Sequence, residues 1–300
     1  MRSKSYSLDQ SPFYMLRNGK KLANLLGINT AELRRLSKRA DTLYREFEVP
    51  KKSGGLRGVE NPCRELKLVQ ARIARLLSRV TPPEYLFCPV KGRCYVDNAA
   101  AQQGQRVVHC LDIRKYFPNT PSQRIYWFFN KIMKCESDIA ATLAKLATYQ
   151  GHLPTGSPLS PIMAYFAYYD VWEAIAKICR NHRYRLTVYI DDVTISAMKM
   201  TPGVIWKIKT VIHGAGLRYH KEKRFVDTPA EITGVIVDQH GLTTPNRQHK
   251  KLYFAKKSLL AAKGEVNTEH GRLQVNGLKA QIAQIASKGG MPERVMTTFA

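Results

Sequence analysis

Two short runs of β-forming residues, 186–190 and 193–197, are separated by nothing but Asp191 and Asp192. A two-residue connection between such runs makes a tight antiparallel hairpin, and Asp tolerates the backbone of a turn. No other feature restricts the fold as strongly, because it sets two adjacent carboxylates at a hairpin tip with apolar residues immediately on both sides. A merely solvated turn would grade into further polar residues. Upstream, 107–113 (VVHCLDI) reads as a buried strand carrying Asp112 near its C-terminal end. If these strands are neighbours, three acids converge at one sheet edge. Carboxylates at such quarters call for a divalent cation, and hard oxygen donors select Mg²⁺, with Mn²⁺ as a possible substitute. Two such ions, roughly 3.5 to 4 Å apart, serve nucleotidyl transfer by activating a hydroxyl and holding a leaving phosphate.

Charge narrows the partner. The chain sets 48 Lys and Arg against 23 Asp and Glu, a formal net charge of +25, with 44% hydrophobic residues. That apolar content excludes a disordered tail, and the excess positive charge points to a polyanion, nucleic acid first and an anionic membrane surface second. No run approaches the roughly 18 apolar residues of a membrane span, and the opening MRSKSYSLDQ lacks a signal-peptide core, so the expectation is a cytoplasmic protein without a membrane partner. The cysteines at 63, 88, 94, 110, 135 and 179 form no CxxC pair and read as reduced thiols rather than zinc ligands.

Along the chain, Asn29 signals a helix start, with Leu33, Leu36, Ala40, Leu43 and Phe47 on one face up to Pro50. The segment 50–58 (PKKSGGLRG) has the pattern of a hairpin tip. A second amphipathic helix carries Leu66, Val69, Ile73, Leu76 and Val80. Helical patterns cover 122–149, a Pro- and Gly-punctuated loop spans 152–161, and an apolar helix runs to about residue 179. From 245 to 300, ten Lys or Arg stand against three Asp or Glu at helical spacing, which predicts a basic helical module. Within it Tyr253 and Phe254 read as core positions.

These residues resemble the reverse transcriptases. YIDD (189–192) is similar to their YxDD signature and LDIRKYF (111–117) to their first catalytic motif. In the same order, 49–62 resembles the basic fingers motif, 153–161 the nucleotide-facing loop and 216–223 the palm motif that contributes a lysine. Within the family the chain most resembles the retron enzymes of bacteria, through counterparts of their NAxxH element (98–102) and VTG element (232–234). Gln102 stands where those enzymes carry His, Ile232 where they carry Val, Ile190 where they carry Ala, and His220 where Asn is common. None of these departures removes a metal ligand.

The resemblance implies an α+β, right-hand polymerase: an N-terminal basic helical region (1–48), fingers with the basic hairpin (49–110), an antiparallel-sheet palm bearing the acids (111–240) and a small basic helical thumb (241–300). Asp112, Asp191 and Asp192 would be the catalytic metal ligands, holding two Mg²⁺ ions. Deoxynucleoside triphosphate would be met by Arg57 with Lys51 or Lys52, by Phe117 as the steric gate beneath the sugar, by Gly156 through close backbone approach, and by Lys223 as proton donor to pyrophosphate. Asn98, Thr233, Gly234, Arg247, Lys250, Lys251, Lys256 and Lys257 would contact RNA or DNA. The implied activity is DNA synthesis on a cognate structured non-coding RNA, primed from an RNA 2′-hydroxyl, with an accessory effector protein in anti-phage defence. An intron-type, diversity-generating or untemplated defence enzyme keeps the same acids. A non-catalytic RNA-binding scaffold would use the charge without them. Neither the cognate RNA nor the oligomeric state is legible.

Overall fold

The computed structural model describes residues 5–51, 54–261 and 265–289. Lys52 and the last eleven positions of the basic C-terminal segment, 290–300, lie outside the described residues. Helix α1 (Gly19–Leu26) is capped by Asn18, and α2 (Thr30–Arg39) starts where expected, with the Asn29 side chain accepting from the Glu32 amide at 2.8 Å.

Instead of continuing to Pro50, however, α2 ends at Arg39, and the chain turns into strand β1 (Tyr44–Pro50), paired antiparallel with β2 (Leu56–Pro62) from Tyr44↔Pro62 to Pro50↔Leu56. Tyr44, Phe47 and Val49 suit a pleated strand, and the ladder satisfies the backbone groups that a longer helix would have satisfied. Ala40 and Leu43 stay buried, but Phe47 is exposed. The boundary expected at residue 48 therefore falls inside a hairpin. The tip between β1 and β2 is closed by the Lys51 amide donating to the Gly55 carbonyl at 2.9 Å, with Gly54 and Gly55 in the left-handed region that favours glycine.

Helix α3 (Arg64–Leu77) buries Leu66, Val69, Ile73 and Leu76, as the spacing predicts. Then come β3 (Leu86–Cys88), α4 (Tyr95–Ala100) and β4 (Val107–Ile113), followed by α5 (Ser122–Trp127), α6 (Ser137–Ala147), α7 (Ser160–Ala167) and α8 (Tyr169–Asn181). The hairpin β5 (Arg185–Tyr189) and β6 (Asp192–Ala197) leads through α9 (Pro202–Gly214) to β7 (Tyr219–Val226). A small meander follows, β8 (Ala230–Ile232), β9 (Val235–Asp238) and β10 (Gly241–Thr243), and the described chain closes with α10 (Asn246–Ala261) and α11 (Glu265–Lys288). The architecture is mixed helix and sheet, with mostly antiparallel pairing.

The central sheet has the order β3-β5-β6-β4-β7, antiparallel except where β3 meets β5. Alternation along β4 divides the interior. Leu111 and Ile113 join Val193, Ile195, Trp172 of α8 and Ile208 of α9 in the main core. Val108 joins a second cluster with Val96 and Ala99 of α4, Ile232 and Val235 of the meander, and Ile285 of α11.

Gln102, just after α4, is almost wholly buried; its amide donates to Thr187 Oγ1 at 2.8 Å and its carbonyl accepts from the Ser196 hydroxyl. This one side chain thus straps β5 to β6. Replacing it by Leu strands two buried hydroxyls. The expected loss is about 2 kcal/mol of unfolding free energy, measured by chemical denaturation; a loss below about 0.5 kcal/mol would mean that the hydroxyls find other partners.

Candidate active site

The carboxylates are placed by strand register. In the β4–β6 ladder Asp112 lies directly opposite Asp192, and on its other side, in the β4–β7 ladder, opposite Lys221. The hairpin turn is Ile190-Asp191 rather than Asp191-Asp192, because Tyr189 pairs with Asp192. This one-residue difference has a physical basis: it lets Asp192 join the ladder beside Asp112, while the Asp191 carbonyl accepts from the Ile113 amide at 2.8 Å. The turn costs strain, since Ile190, a β-branched residue, is held at φ +57°.

Burial raises the Asp191 carboxyl above the usual range, and the Asp112 charge adds to it; Arg57 and His220 oppose the shift. Asp192 is pushed up to about 7, first by burial and then by the charges of Asp191 and Asp112, against the pull of Lys223 and Lys221. Among the described residues, no three His, Cys, Asp or Glu side chains are already drawn around a single point. The acids are neighbours in register, not a closed cage. Their chemistry nevertheless fits a hard divalent cation: they are oxygen donors whose burial and mutual repulsion an adjacent positive ion would relieve.

A cleft of about 340 Å³ gathers Asp112, Asp192, Lys221, Lys223, Thr233 and Gly234, so five residues singled out from sequence share one wall space. Two that the sequence reading did not assign a role also belong here. His220 Nδ1 is 3.6 Å from Asp112 Oδ1, and Lys221 faces Asp112 across the ladder. Both lie in the 216–223 motif, and the β4–β7 register sets Lys221 against Asp112. Phe117 is half-buried, stacked on the buried Tyr116 with centroids 6.1 Å apart. Arg57, on β2 opposite Val49, is close enough to act on Asp191.

Several of the residues singled out from sequence make contacts within the fold. A Cβ on Gly156 would meet the Glu60 carbonyl at 2.6 Å and Asn61 Cα at 3.0 Å, so the β2 backbone packs closely against this glycine. The same loop is tied to the hairpin by the Thr155 amide donating to Glu60 Oε2 at 3.1 Å and by His152 Nε2 at 2.9 Å from Glu60 Oε1. Asn98 is fully buried and its amide donates to Thr233 Oγ1 at 3.3 Å, so it presents nothing to a nucleic acid and positions the β8–β9 turn instead. Thr233 and Gly234 form that turn, both at positive φ. Arg247 is held within the fold: its guanidinium forks onto the Glu231 carboxylate, Nη1 at 2.6 Å from Oε2 and Nη2 on Oε1, and it draws the Glu231 carboxyl below the usual range. Lys250, Lys251, Lys256 and Lys257 are all exposed on α10. Tyr253 and Phe254, read as core, are exposed beside them, with Lys250 Nζ 5.9 Å from the Phe254 ring centre.

Residues 49–237 match the family "Reverse transcriptase (RNA-dependent DNA polymerase)". The chain is similar to the retron Se72 reverse transcriptase of Salmonella heidelberg, 26% identical over 254 residues, covering 79% of this chain and 67% of that one. It is 25% identical over 233 residues to the retron Ec86 reverse transcriptase of Escherichia coli, covering 75% and 72%. With the retron Mx65 reverse transcriptase of Myxococcus xanthus the identity is 28% over 297 residues, covering 88% and 67%.

Gly156→Ala forces a methyl group into the β2 backbone. The loop and hairpin must then separate, with an expected cost of about 1 to 3 kcal/mol in thermal or chemical unfolding and faster proteolysis at the β1–β2 tip. Wild-type resistance in both assays would show that the contact yields without cost.

Proposed function

Because the chain belongs to the reverse transcriptase (RNA-dependent DNA polymerase) family and is of the retron type, we propose that Asp112, Asp191 and Asp192 mark the site where this RNA-directed DNA polymerase extends a DNA strand, and that they hold two Mg²⁺ ions. The observation that carries the reading is the register of β4 between β6 and β7, which sets Asp112 against Asp192 on one side and Lys221 on the other. When bound, the metal supplies a more acidic attacking hydroxyl and charge neutralisation at the leaving pyrophosphate.

The protein's own groups complete the site. Arg57 offers paired donors and Lys51 a point charge to the incoming triphosphate. Phe117 excludes a 2′-hydroxyl by bulk, so that deoxynucleotides are selected by rejection of the alternative. Lys223 donates a proton to pyrophosphate. His220, beside Asp112, orients that carboxylate. Thr233 and Gly234 border the growing strand in the shared cleft, and the four exposed lysines of α10 meet phosphates in a salt-sensitive contact.

In this reading the hairpin β1–β2 and its docked loop are the fingers, the central sheet the palm, and α10 with α11 the thumb. Template and primer come from one structured non-coding RNA, whose 2′-hydroxyl starts the DNA, and the branched product works with an accessory effector in bacterial cytoplasm against phage.

Purification with the native RNA, followed by nuclease and debranching treatment, tests the proposal. A discrete DNA linked to RNA is expected from the wild type and is lost in Asp191→Asn, with primer extension down by about three orders of magnitude or more while RNA stays bound. Bound RNA alone, unaltered by the substitution, would instead identify a scaffold. In Phe117→Val, ribonucleotide incorporation is expected to rise at least about tenfold; unchanged discrimination would remove Phe117 from the gate.

A further inference from the structure

The face of the central sheet opposite the carboxylates carries a second cleft, of about 250 Å³. Along β4, Cys110 and Asp112 point to one face and His109 and Leu111 to the other, and on β7 the partner of His109 is Arg224. His109, Arg224, Ile205, Trp206 and Lys209 line this cleft. Trp206 is 68% exposed on α9, whereas Trp172 is fully buried and Trp127 half-buried. Trp206 thus offers a large aromatic face at the rim of the cleft.

Charge defines its partner. Between Asp192 and Glu222 the chain has no Asp or Glu and five Lys or Arg, including Lys207 and Lys209 on either side of Ile208. Arg224 is exposed and forms no ion pair among the described residues. Glu222, two residues before Arg224 on β7, is engaged by Lys209 at 2.7 Å and lies 3.4 Å from His109 Nδ1. That Nδ1 is buried in the cleft wall, with the Glu222 carboxylate as its polar neighbour.

We propose that this cleft is a second nucleic-acid site, remote from the carboxylates, in which an unpaired base of a single strand stacks on Trp206 while Arg224 of the cleft wall and Lys207, exposed next to Trp206 on α9, meet the flanking phosphates. An exposed aromatic ring beside unpaired cations is the arrangement by which proteins hold single strands without reading their sequence. The site is independent of the polymerase reading, because it needs neither the acids nor a metal.

The test uses the full chain with a saturating primer–template duplex, titrated with labelled ten-nucleotide oligo-U RNA and, separately, oligo-dT. Binding is read by anisotropy and by tryptophan emission. Quenching of the wild type is expected, and Trp206→Ala should weaken oligonucleotide binding about 5- to 100-fold, the range set by the loss of one stacked base. Trp206→Phe, which keeps a ring, should stay within about threefold, and Arg224→Gln should flatten the salt dependence by about 0.7 in the logarithmic slope. Whichever strand binds with this dependence identifies the natural source as RNA or DNA. Primer extension, run on the same samples, is expected to be unchanged in Trp206→Ala and reports separately on the polymerase. Equal oligonucleotide affinity in wild type and Trp206→Ala overturns the proposal, as does loss of self-association in Trp206→Ala with oligonucleotide binding intact, which would make the face a protein contact.

Discussion

Setting Asp192 opposite Asp112 in one ladder brings like charges together where burial already disfavours charge, and the carboxyl responds by holding its proton up to about 7. A sheet edge does not accept such a pairing unless the rest of the fold enforces it. β4 is enforced from three directions: by β6 and β7 through backbone ladders, and from beneath by Leu111 and Ile113 in the main core. Burying each such side chain contributes about 1.5 to 3 kcal/mol, enough in sum to hold a destabilising cluster in place. The strained turn at Ile190 is kept by the same ladders, with the Ile113–Asp191 backbone bond pinning it. Cations from separate elements, Arg57 on β2 and Lys221 and Lys223 on β7, then lower the repulsion without being drawn into closed ion pairs with the acids.

Glu60 organises the other wall. Its carboxylate receives the Thr155 amide and faces His152, its amide donates to Thr155 Oγ1 at 3.2 Å, and its carbonyl accepts from Gly156. One residue of β2 therefore fixes the loop 152–156 against the hairpin that carries Arg57. A part-buried cluster of this kind is worth more than its separate bonds, because each partner holds the others in geometry. The loop that holds Gly156 and the hairpin that carries Arg57, far apart in sequence, are joined through this one residue.

What could be read from sequence follows how local each signal is. The strand 107–113 was legible to the residue, because its apolar run ends in a single acid, and so was the α2 cap at Asn29. The helix expected to run on to Pro50 failed because Leu43 and Phe47 satisfy a helical spacing by accident, while the pairing partner that decides the matter lies beyond a glycine turn. For the same reason the hairpin turn slipped by one residue: register against β4 is a tertiary fact. Asn98, Gly156 and Arg247 stand out in the sequence, but their partners in the fold, Thr233, the Glu60 carbonyl and Glu231, are separated from them by up to 135 positions, so these contacts are not legible there. Tyr253 and Phe254 show the converse, since an apolar residue type alone does not say that a face is covered.

Helix α4 joins these separate devices. At its start Asp97 accepts from the Cys94 amide at 2.7 Å and receives Lys288 of α11; within it Asn98 holds the β8–β9 turn; just past its end Gln102 straps β5 to β6. Helix α11, the turn that borders the cleft and the strands that carry the acids thus all contact one short helix, with Ile285 and Val96 in a shared cluster. The position after this helix asks for a side chain that can both donate and accept while buried. Glutamine meets that demand with its amide alone and carries no titratable proton, so the strap keeps its form across the pH range in which a histidine there would change charge.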